Sequence, residues 1–310
     1  MFKTEQSPLC LQDQQPITAN TLWLKLINPN PAEISDFAEK YDIPREFIEA
    51  VLDPHAIARI QQQQNTTLIL SHLPLEHLGE THSAFSTQAF GLIIGPQYVL
   101  MVCANEHIIF DRMLQHHLTE QNQYPLSYFI FRLLELVADQ FIYATKVVNQ
   151  RVVEVEEELK KSIKNKQIFT LLKHSKSLNR FTNALKGNSK VLTALHTQPR
   201  FASSEAADYL LLNVMVETEQ ASAMAEIHNI NLCNLMDAYS AAIENNLSLL
   251  VQYLSIYVIV GAIPLGIASL FGMNTPLPMQ ENPYALVYLA LISVVITTLM
   301  IFYFKKRQII

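Results

Sequence analysis

Near its C-terminus the chain reads Phe271-Gly272-Met273-Asn274, directly after a long apolar run. Gly272 and Asn274 supply a main-chain carbonyl and a side-chain amide oxygen, both neutral. A hard, tightly hydrated divalent cation dehydrates reluctantly, so neutral oxygens that touch its water shell let it pass, whereas a cage of carboxylates holds it and releases it slowly. In a symmetric ring each oxygen recurs once per subunit. Gly272 then permits close backbone approach, Met273 anchors the turn sideways, and Asn274 turns its amide to the axis, where it is the metal-contacting side chain. The competing reading is an ordinary helix end, where Gly and Asn are common. Farther on, Glu281 is the one charged side chain between Glu244 and Lys305. It either concentrates cations by its charge or is a solvated loop residue.

Other constellations are weaker. His72, His77 and His82 recur beside Glu76 and Glu80, but a five-residue spacing fits neither one helix face nor alternate strand positions, and Pro74 interrupts it. His116-His117 is no better as a metal pair. Gly-x-Ser-x-Gly, P-loop and His-Glu-x-x-His motifs are missing, so an enzyme would lack both nucleophile and phosphate cradle. The charged run from Glu154 to Lys166 reads as the wet face of a helix. A net charge of −6 argues for no nucleic-acid partner. Cys10, Cys103 and Cys233 are far apart and odd in number, which suits a reducing compartment.

The elements that must position Asn274 are set by the distribution of charge. The runs 247–272 and 284–304 each exceed the roughly 20 residues a helix needs to cross the hydrocarbon, and a polar turn separates them. They predict a transmembrane hairpin, with the lipid bilayer as a partner. Lys305, Lys306 and Arg307 after the second run place both termini in the cytoplasm by the positive-inside bias, in a multi-pass protein of the cytoplasmic membrane. The N-terminus, Met1-Phe2-Lys3-Thr4-Glu5-Gln6, is polar and does not read as a signal peptide. The first 240 residues hold nearly all the charge and are long enough to bury a core. Here Leu22-Trp23-Leu24-Lys25-Leu26-Ile27, Thr67 to Leu70, Ala89 to Ile94 and Tyr98 to Val102 read as strands. The cluster Asn28-Pro29-Asn30-Pro31 reads as a turn before an amphipathic helix. Beyond Pro125 the period becomes helical, with Phe129, Leu133, Leu136, Phe141, Val148, Val152, Val155 and Leu159 in one stripe and a second helix doubling back over about 168–195. From 203 nothing breaks a helix before Gly261, so 203–272 reads as one element on the order of 100 Å long. The expected organisation is an α/β domain over 1–200 ending in a helical hairpin (about 126–195), a stalk helix 203–246, a pore-lining membrane helix 247–272, an outer loop 273–283, a second membrane helix 284–304 and a basic tail 305–310.

Inward from Asn274, helical spacing places Ser269 or Leu270, Leu265 or Gly266, Ala262, Val258, Leu254, Val251 and Leu247 on one face. Such a stripe makes an apolar pore whose narrow parts close by dewetting, with Leu254, Val251 and Leu247 as gate residues. Ser248 and Ser255 lie near the entrance or face neighbouring helices.

Gly272-Met273-Asn274 between two C-terminal apolar runs resembles the signature of the CorA-type magnesium channel family. The resemblance extends to Tyr303-Phe304-Lys305-Lys306-Arg307, Ala262-Ile263-Pro264-Leu265 and Asp237-Ala238-Tyr239-Ser240. Weaker identity follows the family's order at Trp23-Leu24, at Tyr41-Asp42-Ile43-Pro44 leading into Phe47 to Leu52, and in the acidic helix Val153 to Leu159. It implies a homopentamer with Mg²⁺ as the transported ion, Co²⁺ and Ni²⁺ as hydrated mimics, and no cofactor beyond a possible regulatory Mg²⁺. The alternative within this fold is a zinc transporter, a branch that usually departs from Met in the tripeptide; from another class comes a sensor that the hairpin merely tethers. The chain departs from the family at Ser248, Val251 and Gln252, where Asn, Met and Lys are frequent, and at Pro278-Met279-Gln280-Glu281-Asn282-Pro283, where Met-Pro-Glu is usual. It departs again at the regulatory metal site: the family's Glu-Asp pair reads Glu49-Ala50, and its stalk Asp reads Asn213. Asp53, Asp208 and Glu217 are near enough in sequence to compensate, and otherwise such a site is expected to be weak.

Overall fold

The computed structural model describes residues 15–18, 21–76, 85–119, 125–161, 165–198, 201, 205–273 and 282–307. They fall into two compact units, 1–236 and 237–310.

The first unit is built on six strands, β1 (Gln15–Thr18), β2 (Thr21–Ile27), β3 (Arg59–Gln63), β4 (Thr66–Glu76), β5 (Phe85–Ile94) and β6 (Tyr98–Cys103). Their order is β1-β2-β6-β5-β4-β3, antiparallel except for the β2–β6 pair. Between β2 and β3 come α1 (Pro31–Tyr41) and α2 (Arg45–Leu52), and after β6 come α3 (Ile108–Thr119), α4 (Leu126–Lys161) and α5 (Asn165–His196). One face of the sheet, through Leu24, Leu26, Leu68, Leu70, Ile93, Leu100 and Val102, shares a core with Ile34, Phe37, Phe47 and Ile48. The other face is covered by α4 and α5. With both faces buried, alternation disappears, and all six positions of β6 are buried. That is why the central strands read as plain apolar runs.

Local signals explain the joints. The cluster before α1 is more than a turn, because Asn30 Oδ1 accepts from Glu33 N–H at 2.9 Å while Glu33 Oε2 accepts from Asn30 N–H at 2.8 Å. That capping box, with Pro31 in the first turn, satisfies amides the helix leaves open. α2 lies so close to β5 that a Cβ at Gly91 would sit 2.2 Å from Val51 Cγ2. The stripe expected on α4 is found: Phe129, Leu133, Phe141, Val148, Val152 and Leu159 are buried, with Leu136 and Val155 half-buried. Helix α6 (Glu205–Phe271) starts with a seam of steps of four and three, in which Ala207, Leu211, Val214, Thr218, Ala221, Ala225 and Leu232 are all buried. This is the spacing of a coiled-coil face, and Thr218 meets Leu134, Val137 and Ala138 of α4 and Leu185 and Leu192 of α5 around a small cavity.

The sequence reading missed β1, β3 and α3, and it took Pro74 as an interruption of the spacing of His72, His77 and His82. Pro74 lies within β4 opposite Thr87. The β3 pairing ends at Arg59–Leu70, so from there β4 is an edge, where a residue without an N–H is tolerated. Asn188 of α5 then acts as a substitute strand. Its Oδ1 accepts from His72 N–H at 2.9 Å and its Nδ2 donates to His72 O at 3.0 Å. A second stitch joins α5 to β5, where Phe85 N–H donates to Ser177 Oγ at 3.2 Å and the hydroxyl returns a bond to Phe85 O at 3.0 Å. Asn188→Ala strands two buried main-chain groups and is expected to destabilise the protein by about 2–4 kcal/mol. Thermal unfolding of the detergent-solubilised chain reads this; an unchanged midpoint contradicts the stitch.

Candidate functional site

The second unit contains the C-terminal part of α6 and α7 (Ala285–Lys306). Both helices are long and apolar enough to cross a membrane. Among the described residues of this unit, the buried side chains are Ile256 and Ser293. The rest leave a large apolar surface open, with Leu247 60% and Leu265 72% exposed. A monomer in water does not tolerate so large a patch, whereas a lipid bilayer covers one. Polar groups inside the runs are satisfied locally: Ser255 Oγ donates to Val251 O at 2.8 Å and Thr298 Oγ1 to Val294 O at 2.7 Å. Pro264 lies inside α6 and cannot supply the donor that Val260 O would otherwise receive.

Around the first membrane segment the two sides of α6 differ. Gln252, Ile256, Val260, Ile263 and Ile267 are buried or half-buried and recur at helical spacing. Leu247, Val251, Leu254, Val258, Ala262, Leu265 and Ser269 are all exposed, and at about 100° per residue they lie on the opposite face. The sequence-derived stripe is therefore a free surface of the isolated chain.

At the end of that stripe, Gly272 N–H donates to Ala268 O at 3.0 Å and Met273 N–H to Leu270 O at 3.4 Å. Gly272 does not have left-handed backbone, and a Cβ there would sit 3.4 Å from Ala268 O, an ordinary contact. A glycine that merely caps a helix is needed for its left-handed conformation. That need is missing here, so neither its backbone conformation nor the space around it within the chain requires a glycine. Met273 is exposed. Asn274 and Glu281 lie outside the described residues. Before α7, Asn282 Oδ1 accepts from Tyr284 N–H at 2.9 Å. Lys305 and Lys306 occupy the last turn, and Arg307 stacks on Tyr303 at 5.5 Å, placing cations at the negative end of the helix.

The candidate regulatory residues belong to the first unit. Asp53 follows α2, and its Oδ1 accepts from His55 N–H at 2.8 Å. Asp208 is in the first turn of α6, and Asn213 is half-buried. Glu49 pairs with Arg45 at 2.6 Å. Glu217 faces two carboxylates of α4 that the sequence reading missed. Its carboxyl is pushed above the usual range by burial first, then by the charges of Asp139 and Glu135, against an opposing pull from Arg132; Arg132 itself pairs with Glu135. The signal for that pair was only a four-residue spacing on α4. Among the described residues no three His, Cys, Asp or Glu converge to hold a metal ion. His72 Nε2 is engaged with Ala56 O at 3.0 Å, and burial holds its ring below the usual pKa. Its neighbour Glu76 pairs with Arg151 at 2.6 Å, while His77, Glu80 and His82 lie outside the described residues. His107 Nε2 bonds Pro74 O at 2.8 Å while its Nδ1 accepts from Ile109 N–H at 3.3 Å, as a neutral ring does.

The class is that of membrane proteins with an α/β domain, one very long helix and a C-terminal apolar helix. Residues 18–306 match the model of the CorA-like Mg²⁺ transporter protein family, and the chain belongs to that family of membrane transporters. It is 19% identical over 291 residues to the cobalt/magnesium transport protein CorA of Methanocaldococcus jannaschii, covering 92% of this chain and 90% of the relative. The complete structure of the CorA magnesium transporter from that organism superposes with a TM-score of 0.82 at 18% identity, over 92% of this chain and 90% of the other. Full-length CmaX gives 0.72 at 13% identity, over 97% and 92%. The fold of this chain is thus that of CorA.

The environment of Glu217 gives a pH prediction. Its folded pKa lies above the unfolded value near 4.5, so the native state favours the protonated form, and stability falls as pH rises through the range above that value. Glu217→Gln is expected to raise the melting temperature at neutral pH, with the gain vanishing near pH 4.5. A gain that persists there, or no gain at neutral pH, removes the burial argument.

Proposed function

We propose that the chain is a homopentameric channel conducting hydrated Mg²⁺, with Co²⁺ and Ni²⁺ as mimics, across the cytoplasmic membrane, both termini on the cytoplasmic side. The observation that carries it is Gly272-Met273-Asn274 at the end of α6, with a glycine its own backbone does not require, above a free apolar stripe running down to Leu247. One hairpin is too thin to enclose a pore, so copies must ring together around α6, each contributing one Gly272 carbonyl and one Asn274 amide. Neutral oxygens select an ion that keeps its water, and Leu247, Val251 and Leu254 close the path by dewetting. Glu281 raises the cation concentration at the outer mouth. The methionine of the tripeptide favours magnesium over zinc.

Cytoplasmic Mg²⁺ closes this channel weakly, because Ala50 and Asn213 offer no charged oxygen. Inside-out patches with rising internal Mg²⁺ read this. Steep closure at low millimolar levels would contradict it, and loss of that closure on neutralising Asp53 or Glu217 would relocate the site.

Purified protein in liposomes is expected to take up Mg²⁺ faster than Zn²⁺. Asn274→Ala and Gly272→Ala are each expected to abolish uptake while leaving the assembly at five chains of 35.2 kDa, about 176 kDa by detergent-corrected light scattering. Wild-type uptake by either variant ends the filter assignment, faster Zn²⁺ flux reverses the ion, and no flux of either ion from the wild type leaves a tethered sensor.

A further inference from the structure

Two neighbouring helices of the first unit separate charge almost completely. Helix α5 carries six Lys and Arg and no Asp or Glu, whereas α6 up to residue 236 carries five Asp and Glu and no Lys or Arg. The α6 acids are not spread around the helix. At about 100° per residue, Glu205, Asp208, Glu219 and Glu226 fall within a strip about 60° wide, turned away from the buried seam. Leu212, Val216 and Ile230, all exposed, share the strip or border it. On α5, Lys166, Lys176 and Lys190 are exposed, with Phe169 and Leu172 open among them.

The two strips run side by side on one surface. Lys186 reaches Glu226 at 3.4 Å, and Asn229 of α6 accepts from Ser175 Oγ at 2.8 Å and donates to Asn179 at 3.1 Å. Within the described residues, Lys176, Lys190, Asp208 and Glu219 take part in no ion pair. A surface with a basic strip beside an acidic strip, both interleaved with large apolar side chains, repels a uniformly anionic partner such as a bilayer surface or a nucleic acid as much as it attracts one. It matches a second copy of itself, shifted so that opposite strips meet.

We infer that the basic face of α5 in one copy docks on the acidic face of α6 in the next, a head-to-tail contact of the kind that closes into a ring. The inference rests on the homo-oligomer proposed above and names the surface that builds it.

The test uses the full chain in detergent, with Lys176→Glu/Lys190→Glu on one tag and Asp208→Lys/Glu219→Lys on another. Each variant alone is expected to lose the wild-type mass. Co-expressed, they are expected to purify together, because each mixed contact pairs opposite strips between chains; a ring of five retains at least one like-charged contact, so co-purification and not restored mass is the readout. Failure of the pair to co-purify overturns the inference, as does wild-type mass in each variant alone. Retained mass with loss of co-purifying anionic lipid assigns the basic face to the bilayer and also overturns it. Should a double variant fail to fold, Lys176→Gln and Glu219→Gln read the same contact as a several-fold rise in the concentration at which the assembly dissociates; no rise counts against it. A wild type that is itself monomeric sinks the oligomer and not merely this surface.

Discussion

Between Asn245 and Phe304 the chain carries a single charged side chain, Glu281, and the cost of placing unpaired polar groups in hydrocarbon governs what those residues become. A backbone without water must bond to itself, so each apolar run becomes a helix. Ser255 and Thr298 bond to carbonyls one turn back, so they leave no hydroxyl open to lipid. The same constraint shapes ion passage. On the reading proposed above, the hydrophilic path lies between copies and its narrowest part uses main-chain carbonyls and an amide, whose desolvation costs far less than that of a charge.

Helix α6 belongs to two solvents. Its first thirty residues follow a coiled-coil-like seam of small and medium side chains packed on α4 and α5, and its last stretch is apolar nearly all round. The acidic strip fits between these demands: it occupies the side of α6 that the seam leaves free, next to an α5 that is purely basic. Among the described residues, Lys176, Lys190, Asp208 and Glu219 form no ion pair, and on the inference above this segregation of signs makes the surface complementary to itself.

The first unit is held to its sheet by bonds between side chain and main chain as well as by its cores. Asn188 and Ser177 each complete the hydrogen bonding of a strand residue. A buried strand edge without such partners would leave main-chain groups unsatisfied, at a cost of about 1–3 kcal/mol each. His107 serves the same purpose at Pro74.

What the sequence by itself determined is everything that depends on the solvent a segment sees. The membrane runs, the unbroken α6, the α4 stripe and the apolar central strands were legible, because desolvation acts residue by residue and leaves its period in the composition. Gly272-Met273-Asn274 drew attention as a candidate for a similar reason: its residue types and its place at the end of an apolar run suggest the chemistry. Only the tertiary structure decided matters that depend on partners distant in the chain. The polar segment Arg59–Gln63 became a strand because β4 offered it an edge. Pro74 sits in a strand because nothing pairs with its missing N–H. His72 finds its partner 116 residues away in Asn188. That Gly272 does not adopt a left-handed cap conformation is a backbone property that no residue type reveals. The facing of Glu217 toward Glu135 and Asp139 required the packing of α6 on α4, because a charge acts through space and its sequence position does not say what it will face.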